Sequence, residues 1–458
     1  MRMTLSAKFA LRGWKSLPYA LVDITTGESY FITSKTFNAI IDATSQDTAY
    51  LQESEVISCL IRENILIEED RELFDYQKYK QYSSRYIKNA HWAVTNLCNY
   101  KCKHCFISAP TTTRKGLDTG SCKMIIDKLE EFGIYNLSIT GGEPFIRKDI
   151  IEIMQYAKSK GILLTGIFTN GSLLTKKHIN AMLAIGLRPT FYISFDGWET
   201  HDWLRGVKGA REKAMEAIAL LKKNHLPVHL TYMILKKSLK LILQDLDSLA
   251  MLGVDKIRFG LMSSTGEWSK SGEAHNVSFK EVLEHIVKIL PEIIERKYPF
   301  SIDVAGIIMI EQYASKFRIP MDKGRIDDEL LNKIPCCTCA RNSLYINPTG
   351  CLTGCEILGE LEGEHYPNII TADADSLFCM SHGYSKLANR SLGDLFQVNR
   401  DCQTCQYVTV CRGGCRANAY FHSGNINGVD NNACTFFKGG YYEQILQLME
   451  ALKVCRCE

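Results

Sequence analysis

The chain has 458 residues, 46% of them hydrophobic, enough to fill two or three domain cores. Lys plus Arg (54) nearly balance Asp plus Glu (51), and a formal charge of +3 gives no electrostatic case for nucleic acid or an anionic membrane as partner. The start, MRMTLSAKFALRGWKSLPYA, lacks the clean apolar stretch of a secretion signal, and no apolar run approaches the roughly 18 residues that span a bilayer, so a cytoplasmic protein is expected.

In chain order, LPYALVDITTGESYFIT (17–33) reads as two strands joined by a turn at Thr26 and Gly27. Helical spacing follows in SKTFNAIIDA and in ESEVISCLIRENI, and the polar, tyrosine-rich DYQKYKQYSSRY (75–86) reads as a linker. Two strands and about three short helices suggest that residues 1–85 form a winged-helix-like unit, either a recognition module or a cap on the next domain. From 86 to 300 strand and helix alternate. The strands are HWAVT (91–95), LSIT (137–140), ILLTGIF (162–168), TFYISF (190–195), VHLTYMI (228–234) and IRFGLM (257–262). Amphipathic helices such as DIIEIMQYAKSKG and REKAMEAIALLKKN lie between them. Six βα units in succession predict an α/β fold with a parallel sheet, open or curved into a partial (β/α)6 barrel, with its chemistry at the C-terminal strand ends. SFKEVLEHIVKILPEIIERKY (278–298) predicts a bridging helix. Residues 301–458 are rich in cysteine and glycine, with only short strand candidates, which suggests order imposed by metal rather than by a large apolar core.

Eighteen cysteines in a reducing compartment favour metal or redox chemistry over disulfides. Five lie at or before Cys122, and thirteen fall between Cys336 and Cys457, which implies two metal-bearing regions. The first is TNLCNYKCKHCF, where Cys98, Cys102 and Cys105 follow the first barrel strand. Three thiolates hold three irons of a 4Fe–4S cube and leave the fourth open for a ligand. A zinc ion with a fourth donor such as His104 is the alternative.

The triad spacing resembles the cluster loop of the radical S-adenosylmethionine (SAM) superfamily. The resemblance continues in Gly141-Gly142-Glu143-Pro144 at the second strand end, Thr169-Asn170-Gly171 at the third, Ser194, Asp196 and Gly197 at the fourth, and Arg205 in HDWLRG. It implies that the open iron chelates SAM, and that an electron from the cube cleaves the sulfonium to a 5′-deoxyadenosyl radical. Gly141, Gly142 and Glu143 would then receive the methionine amino group, with Asn170 at the same site. Ser194 would bind ribose or carboxylate, and Arg205 the SAM carboxylate. Asp196 either contacts SAM or holds its turn, and Arg205 is otherwise a surface residue. His104 and Phe106 flank the third cysteine, where the family places an aromatic that shields cluster or adenine.

Cys402, Cys405, Cys411 and Cys415 give C-x2-C-x5-C-x3-C, followed by Cys434. Upstream, NPTG lies between Cys339 and Cys355. Together they resemble the SPASM extension of radical SAM enzymes that modify peptides and proteins, which carries two auxiliary 4Fe–4S clusters. The resemblance implies three clusters in all. Cys339, Cys355 and Cys415 with an upstream cysteine would hold one, and Cys402, Cys405, Cys411 and Cys434 the other. The fourth ligand of the former is Cys337 by preference, with Cys336 and Cys351 as alternatives; paired zinc knuckles are the competing reading. Cys59, Cys122 and Cys379 read as inert thiols, and Cys455 and Cys457 as exposed ones.

The same resemblance suggests that residues 1–85 bind the leader of a ribosomally synthesised precursor peptide by strand addition at 29–33 or 19–24 and place its core over the barrel mouth. A flavodoxin or ferredoxin would supply electrons. The implied reaction is thioether crosslinking. Carbon–carbon crosslinking, epimerisation and formylglycine formation are alternatives within the enzyme class, and a zinc- or Fe–S-binding interaction protein is the alternative outside it. Tyr232 and Glu267 are candidates for a group at the mouth.

Overall fold

The computed structural model describes residues 2–45, 55–69, 78–109, 116–263, 266–271, 273–359, 361, 363–375 and 383–457. Cys379 lies outside them. Among the described residues no helix is long and apolar enough to cross a membrane.

The N-terminal unit has six strands: β1 (Arg2–Leu5), β2 (Phe9–Trp14), β3 (Ala20–Asp23), β4 (Ser29–Phe31), β5 (Leu66–Glu69) and β6 (Tyr79–Tyr82), with described helices at Ser34–Ser45 and Glu55–Arg62. β1 pairs with β5, and the other four form a sheet in the order β4-β3-β2-β6. Met3, Leu11, Leu21, Phe37, Ile40, Ile57 and Leu66 share one core. Two sequence expectations are corrected here. The supposed linker contains β6, which pairs parallel to β2 through Leu11↔Tyr79 and Trp14↔Tyr82. Residues 20–23 offer no free edge, because β3 is flanked by β2 and β4.

This unit sits against the start of a much larger sheet. Asn136 Nδ2 donates to Gly27 O (3.1 Å), Ser84 Oγ donates to Phe132 O (2.7 Å), and Trp14 and Val22 pack on Tyr135. Asn136 opens a strand, so the attachment is at the end of the barrel opposite the cysteine loop.

The large sheet is built on β7 (Asn89–Ala93), β8 (Asn136–Thr140), β9 (Leu163–Thr169), β10 (Thr190–Ser194), β11 (Val228–Ile234) and β12 (Lys256–Leu261), all parallel and in sequence order. They coincide with the six strands read from the sequence to within two residues. One face is apolar: Leu137, Ile167, Phe191, Leu230, Ile257 and Phe259 are fully buried beneath the helices. The alternate residues line the concave face and are half-buried or open. The bridging helix is present as Phe279–Arg296, begun by a capping box between Ser278 and Glu281.

The C-terminal region is not held apart from this core. β13 (Ser301–Val304) continues the sheet beyond β12, followed by β14 (Ile308–Ile310) and β15 (Lys316–Arg318). On the other side β16 (Ser343–Ile346) pairs parallel with β7, and β17 (Leu352–Thr353) pairs with β16. Leu344, Ile346, Leu387, Phe436 and Ile445 belong to the same hydrophobic cluster as the barrel. The expectation of a region lacking apolar order is therefore corrected. β18 (Cys455–Arg456) closes the sheet against β15.

Candidate active site

The loop after β7 is stitched by backbone bonds to three other segments. Gly142 N donates to Thr95 O and Glu143 N to Leu97 O, both at 2.8 Å; Lys103 N donates to Leu204 O at 2.8 Å and Glu267 N to Cys105 O at 3.0 Å. The approach is so close that a Cβ on Gly142 would lie 2.2 Å from Leu97 O, and one on Gly206 2.3 Å from Lys101 O. The glycines of GGEP thus admit the cysteine loop itself. Gly206 and Gly266, which the sequence reading passed over, do the same at Lys101 and Cys105; the signal for the first was its place just after the helix His201–Arg205.

Held this way, Cys98, Cys102 and Cys105 are half-buried on one loop. Cys98 Sγ accepts from Tyr100 N (3.4 Å), and Cys105 Sγ accepts from Ala109 N (3.3 Å). Burial pushes the Cys98 thiol up to about 12, and the fields of Cys102, Glu143 and Cys105 push in the same direction. Cys102 and Cys105 are raised for the same leading reason. Three sulfurs so placed ionise together only around a cationic group, which is what an iron–sulfur cube supplies. The donor set fits that group.

Glu143 faces inward. Its Oε1 accepts from Thr169 Oγ1 (2.7 Å) and Phe145 N (3.1 Å), and its Oε2 from Asn170 N (2.8 Å). Complete burial raises its carboxyl to about 7 against these bonds. It fixes the end of β9. Glu143→Gln leaves one of these donors without an acceptor, and a loss of about 1–3 kcal/mol is expected in denaturant unfolding. An unchanged midpoint would show the contacts to be dispensable. Asn170 Nδ2 in turn donates to Asn99 Oδ1 (3.0 Å) in the cysteine loop, and Asn99 Nδ2 to Ser172 Oγ (2.8 Å).

Asp196 and Arg205 are each other's partners. Arg205 donates through Nε and Nη2 to the two oxygens of Asp196 (2.7 and 3.0 Å), whose Oδ1 also accepts from Met233 N (3.1 Å). Both are buried, and the pairing drives the Asp196 carboxyl down and the Arg205 guanidinium up despite desolvation. Arg205 is therefore no surface residue, and Asp196 is a positioning residue for it. Only Nη1 of Arg205 reaches the cysteine loop, 4.0 Å from Cys102 Sγ. Ser194, half-buried, keeps its hydroxyl free of partners among the described residues. The His104 imidazole has a buried Nδ1 without a hydrogen bond, and burial lowers it to about 3, so it is neutral. Phe106 is exposed. Tyr232 is not at the mouth: it is fully buried and donates to Asp245 (2.5 Å). Glu267 bonds Lys270 at 2.8 Å.

The later cysteines fall into two neighbourhoods. Cys337 stands in the field of Cys339 and Cys355, and Cys355 in that of Cys415 and Cys339; burial chiefly pushes Cys337 up to about 12 and Cys355 to about 11. Cys402, Cys405, Cys411 and Cys434 line one pocket closed by Tyr407, Val408, Phe437 and Lys438. Arg412, Gly413 and Gly414, all with left-handed φ (52°, 77° and 72°), reverse the chain between Cys411 and Cys415 and send them to different neighbourhoods. Cys336 is buried instead against Leu392, Leu395 and Phe396, and Cys351 bridges to Asn368. Among the described residues no three His, Cys, Asp or Glu side chains close around a point as a lone ion requires. In a 4Fe–4S cube each thiolate sits on a separate iron corner. Of the remaining cysteines Cys122 is buried, while Cys59 and Cys455 are exposed.

Residues 92–249 match the family model of the radical SAM superfamily. This stretch is a radical SAM domain. The AdoMet-dependent heme synthase of Methanosarcina barkeri is 27% identical over 339 residues, which cover 73% of this chain and 92% of that one. The mycofactocin maturase MftC of Mycolicibacterium smegmatis is 25% identical over 347 residues, 74% and 80% of the two chains. Among solved structures, Streptococcus suis SuiB bound to S-adenosylmethionine superposes with a TM-score of 0.68 at 16% identity, covering 94% of this chain and 99% of that one. SuiB has also been solved with its precursor peptide SuiA. The radical SAM match begins in β7 and ends within the βα unit after β11, so every segment that clamps the cysteine loop except the one after β12 lies inside it.

Proposed function

We propose that this radical SAM enzyme modifies a ribosomally synthesised peptide, most directly by joining a cysteine sulfur to a carbon in a thioether crosslink. The observation that carries the peptide reading is the extent of the likeness to SuiB. It spans 94% of the chain and so takes in the N-terminal sheet that a barrel alone would lack. In this reading Cys98, Cys102 and Cys105 hold the SAM-binding cluster, with Ser194 and the Nη1 of Arg205, which faces Cys102, beside the SAM site. Cys337, Cys339, Cys355 and Cys415 hold a second cluster, and Cys402, Cys405, Cys411 and Cys434 a third. The first cluster, when bound, supplies the electron that cleaves SAM; a flavodoxin or ferredoxin supplies it in turn. Around that chemistry the protein orients the loop and presents the substrate along the concave face.

Residues 1–85 act as the leader-recognition unit through β4, the free edge of the small sheet. Ile32 N donates to Tyr19 O and Asp23 N to Glu28 O, so even-numbered residues face β3 while Ser29 and Phe31 turn their N–H groups outward. Phe31→Pro deletes an outward donor and leaves the internal ladder alone. A drop in peptide modification of at least about 10-fold is expected, the equivalent of about one or two charge-free hydrogen bonds, with SAM cleavage in the absence of peptide as reference. Unaltered modification would remove β4 from the reading. Because the unit attaches at the strand-start end of the barrel, a leader held there sends its core along the concave face rather than dropping it over the mouth.

The sequence likeness to heme synthases favours a second reading, a tetrapyrrole substrate on the same scaffold. One experiment separates the two. The reconstituted enzyme is incubated anaerobically with SAM, reductant and the small peptide encoded beside its gene, and the peptide is weighed by mass spectrometry. A loss of two mass units per crosslink supports thioether or carbon–carbon bonding, and a mass that is constant in H2O but rises by deuterium uptake in D2O supports epimerisation. An unaltered peptide beside a converted iron porphyrin overturns the peptide reading.

A further inference from the structure

We infer that the concave face of the barrel carries a carboxylate-binding site, built on the guanidinium of Arg258 and the hydroxyl of Tyr192, that takes an acidic group of the substrate; the inference rests on the peptide reading above. β12 buries Ile257 and Phe259 completely on its outer side, so Arg258 stands on the concave side, in register between Thr231 of β11 and Asp303 of β13. It belongs to a strand with neighbours on both sides, yet it is exposed, which shows that the cleft is open at this level. Among the described residues it makes no hydrogen bond and no ion pair. Asp303, its partner across the ladder, lies 3.7 Å from Lys256 Nζ instead. Arg318 adds a further cation on the same sheet and is directed at Met309 Sδ (3.0 Å) rather than at an acid. Positive charge is in surplus here.

Tyr192 gives the site a fixed wall. Its ring stacks on Phe168 at 4.2 Å between centroids and meets His229 edge-on at 5.1 Å. Gly166 makes room for it, since a Cβ there would lie 2.8 Å from the ring. The Tyr192 hydroxyl has no partner among the described residues, and the field of Arg258 reaches it from two strands away. A planar fork of N–H donors and an O–H donor on the same concave face, two strands and two register positions apart, suit an extended ligand that only accepts, and a carboxylate matches the fork in two bonds. Arg258 sits three residues before the end of β12, below the strand ends where the cysteine loop lies, so the group it takes is one carried by a molecule lying along the cleft.

The test uses the anaerobically reconstituted holoenzyme with SAM and three fluorescein-labelled nonapeptides of a Gly-Ser-Ala background. One carries a central Glu and an amidated C-terminus, the second a central Gln and the amide, the third a central Gln and a free C-terminal carboxylate. Fluorescence anisotropy should give the Glu peptide, the free-carboxylate peptide or both a Kd at least 10-fold below the doubly neutral one, and the pattern tells side chain from terminus. R258Q should abolish the preference and R258K should keep part of it, since lysine retains the charge without the fork. Equal affinities for all three peptides in the unaltered enzyme, or the same preference in R258Q, would overturn the site. Either result leaves the peptide reading standing, because that reading falls by mass spectrometry and not by this measurement.

Discussion

Exchange of Cys98, Cys102 and Cys105 for alanine should cut 5′-deoxyadenosine formation from SAM to the uncatalysed background, of the order of 10⁶-fold if ordinary enzymatic acceleration is lost. The reason is local. The three thiols share one loop and burial raises each of them, so together they suit a cationic group held in common. The loop's path is tied by backbone bonds from Gly142, Glu143, Lys103 and Glu267, to which the sulfurs add only acceptance from Tyr100 N and Ala109 N. The variant should therefore fold, keep its circular dichroism and lose iron equivalent to a single cluster. Cys59→Ala, at an exposed position on the helix Glu55–Arg62, serves as the comparison. SAM cleavage that survived the triple exchange would place the reacting site elsewhere.

Asp196→Ala should be the most destabilising single change in the barrel, at about 3–5 kcal/mol. It strips both oxygens from a buried guanidinium, frees the N–H of Met233 and removes the carboxylate oxygen 3.1 Å from His201 Nδ1. The double variant Asp196→Leu with Arg205→Met should recover much of that loss, because the cost lies in the orphaned charge rather than in the missing pair. Chemical unfolding of the three proteins checks this. Equal midpoints for the single variant and the parent would mean that water or another anion reaches Arg205.

Much of the fold was legible because the barrel strands write their burial plainly. Runs such as VHLTYMI place Val228, Leu230, Tyr232 and Ile234 on one fully buried face, and a helix separates each strand from the next. The short strands of the N-terminal unit were harder. YKQY in β6 sets two polar residues between two tyrosines, as a solvated linker also can, and it becomes a strand only by pairing with β2, more than sixty residues earlier. The third helix expected there is not among the described residues, which hold two.

The site residues were found as types and places, while their partners were not. Asp196 and Arg205 both stand where the sequence pointed, but nothing in a nine-residue spacing says that each satisfies the other and leaves one nitrogen for the loop. Glu143 likewise shows its carboxylate in the sequence and hides that three donors inside the fold already claim it. The cysteine neighbourhoods depend on a left-handed turn at 412–414, which the paired glycines hint at and only the backbone angles display.

The parallel pairing of β16 with β7 has a consequence for how the molecule is made on the ribosome. β7 is synthesised about 250 residues before the strand that covers its outer edge, so a nascent chain halted near residue 300 carries a bare, hydrogen-bond-hungry flank on the first strand of its barrel. Shortened versions that stop before Ser343 should cling to one another instead of folding, and the cell's chaperones would have to shelter that flank until the last quarter of the protein emerges.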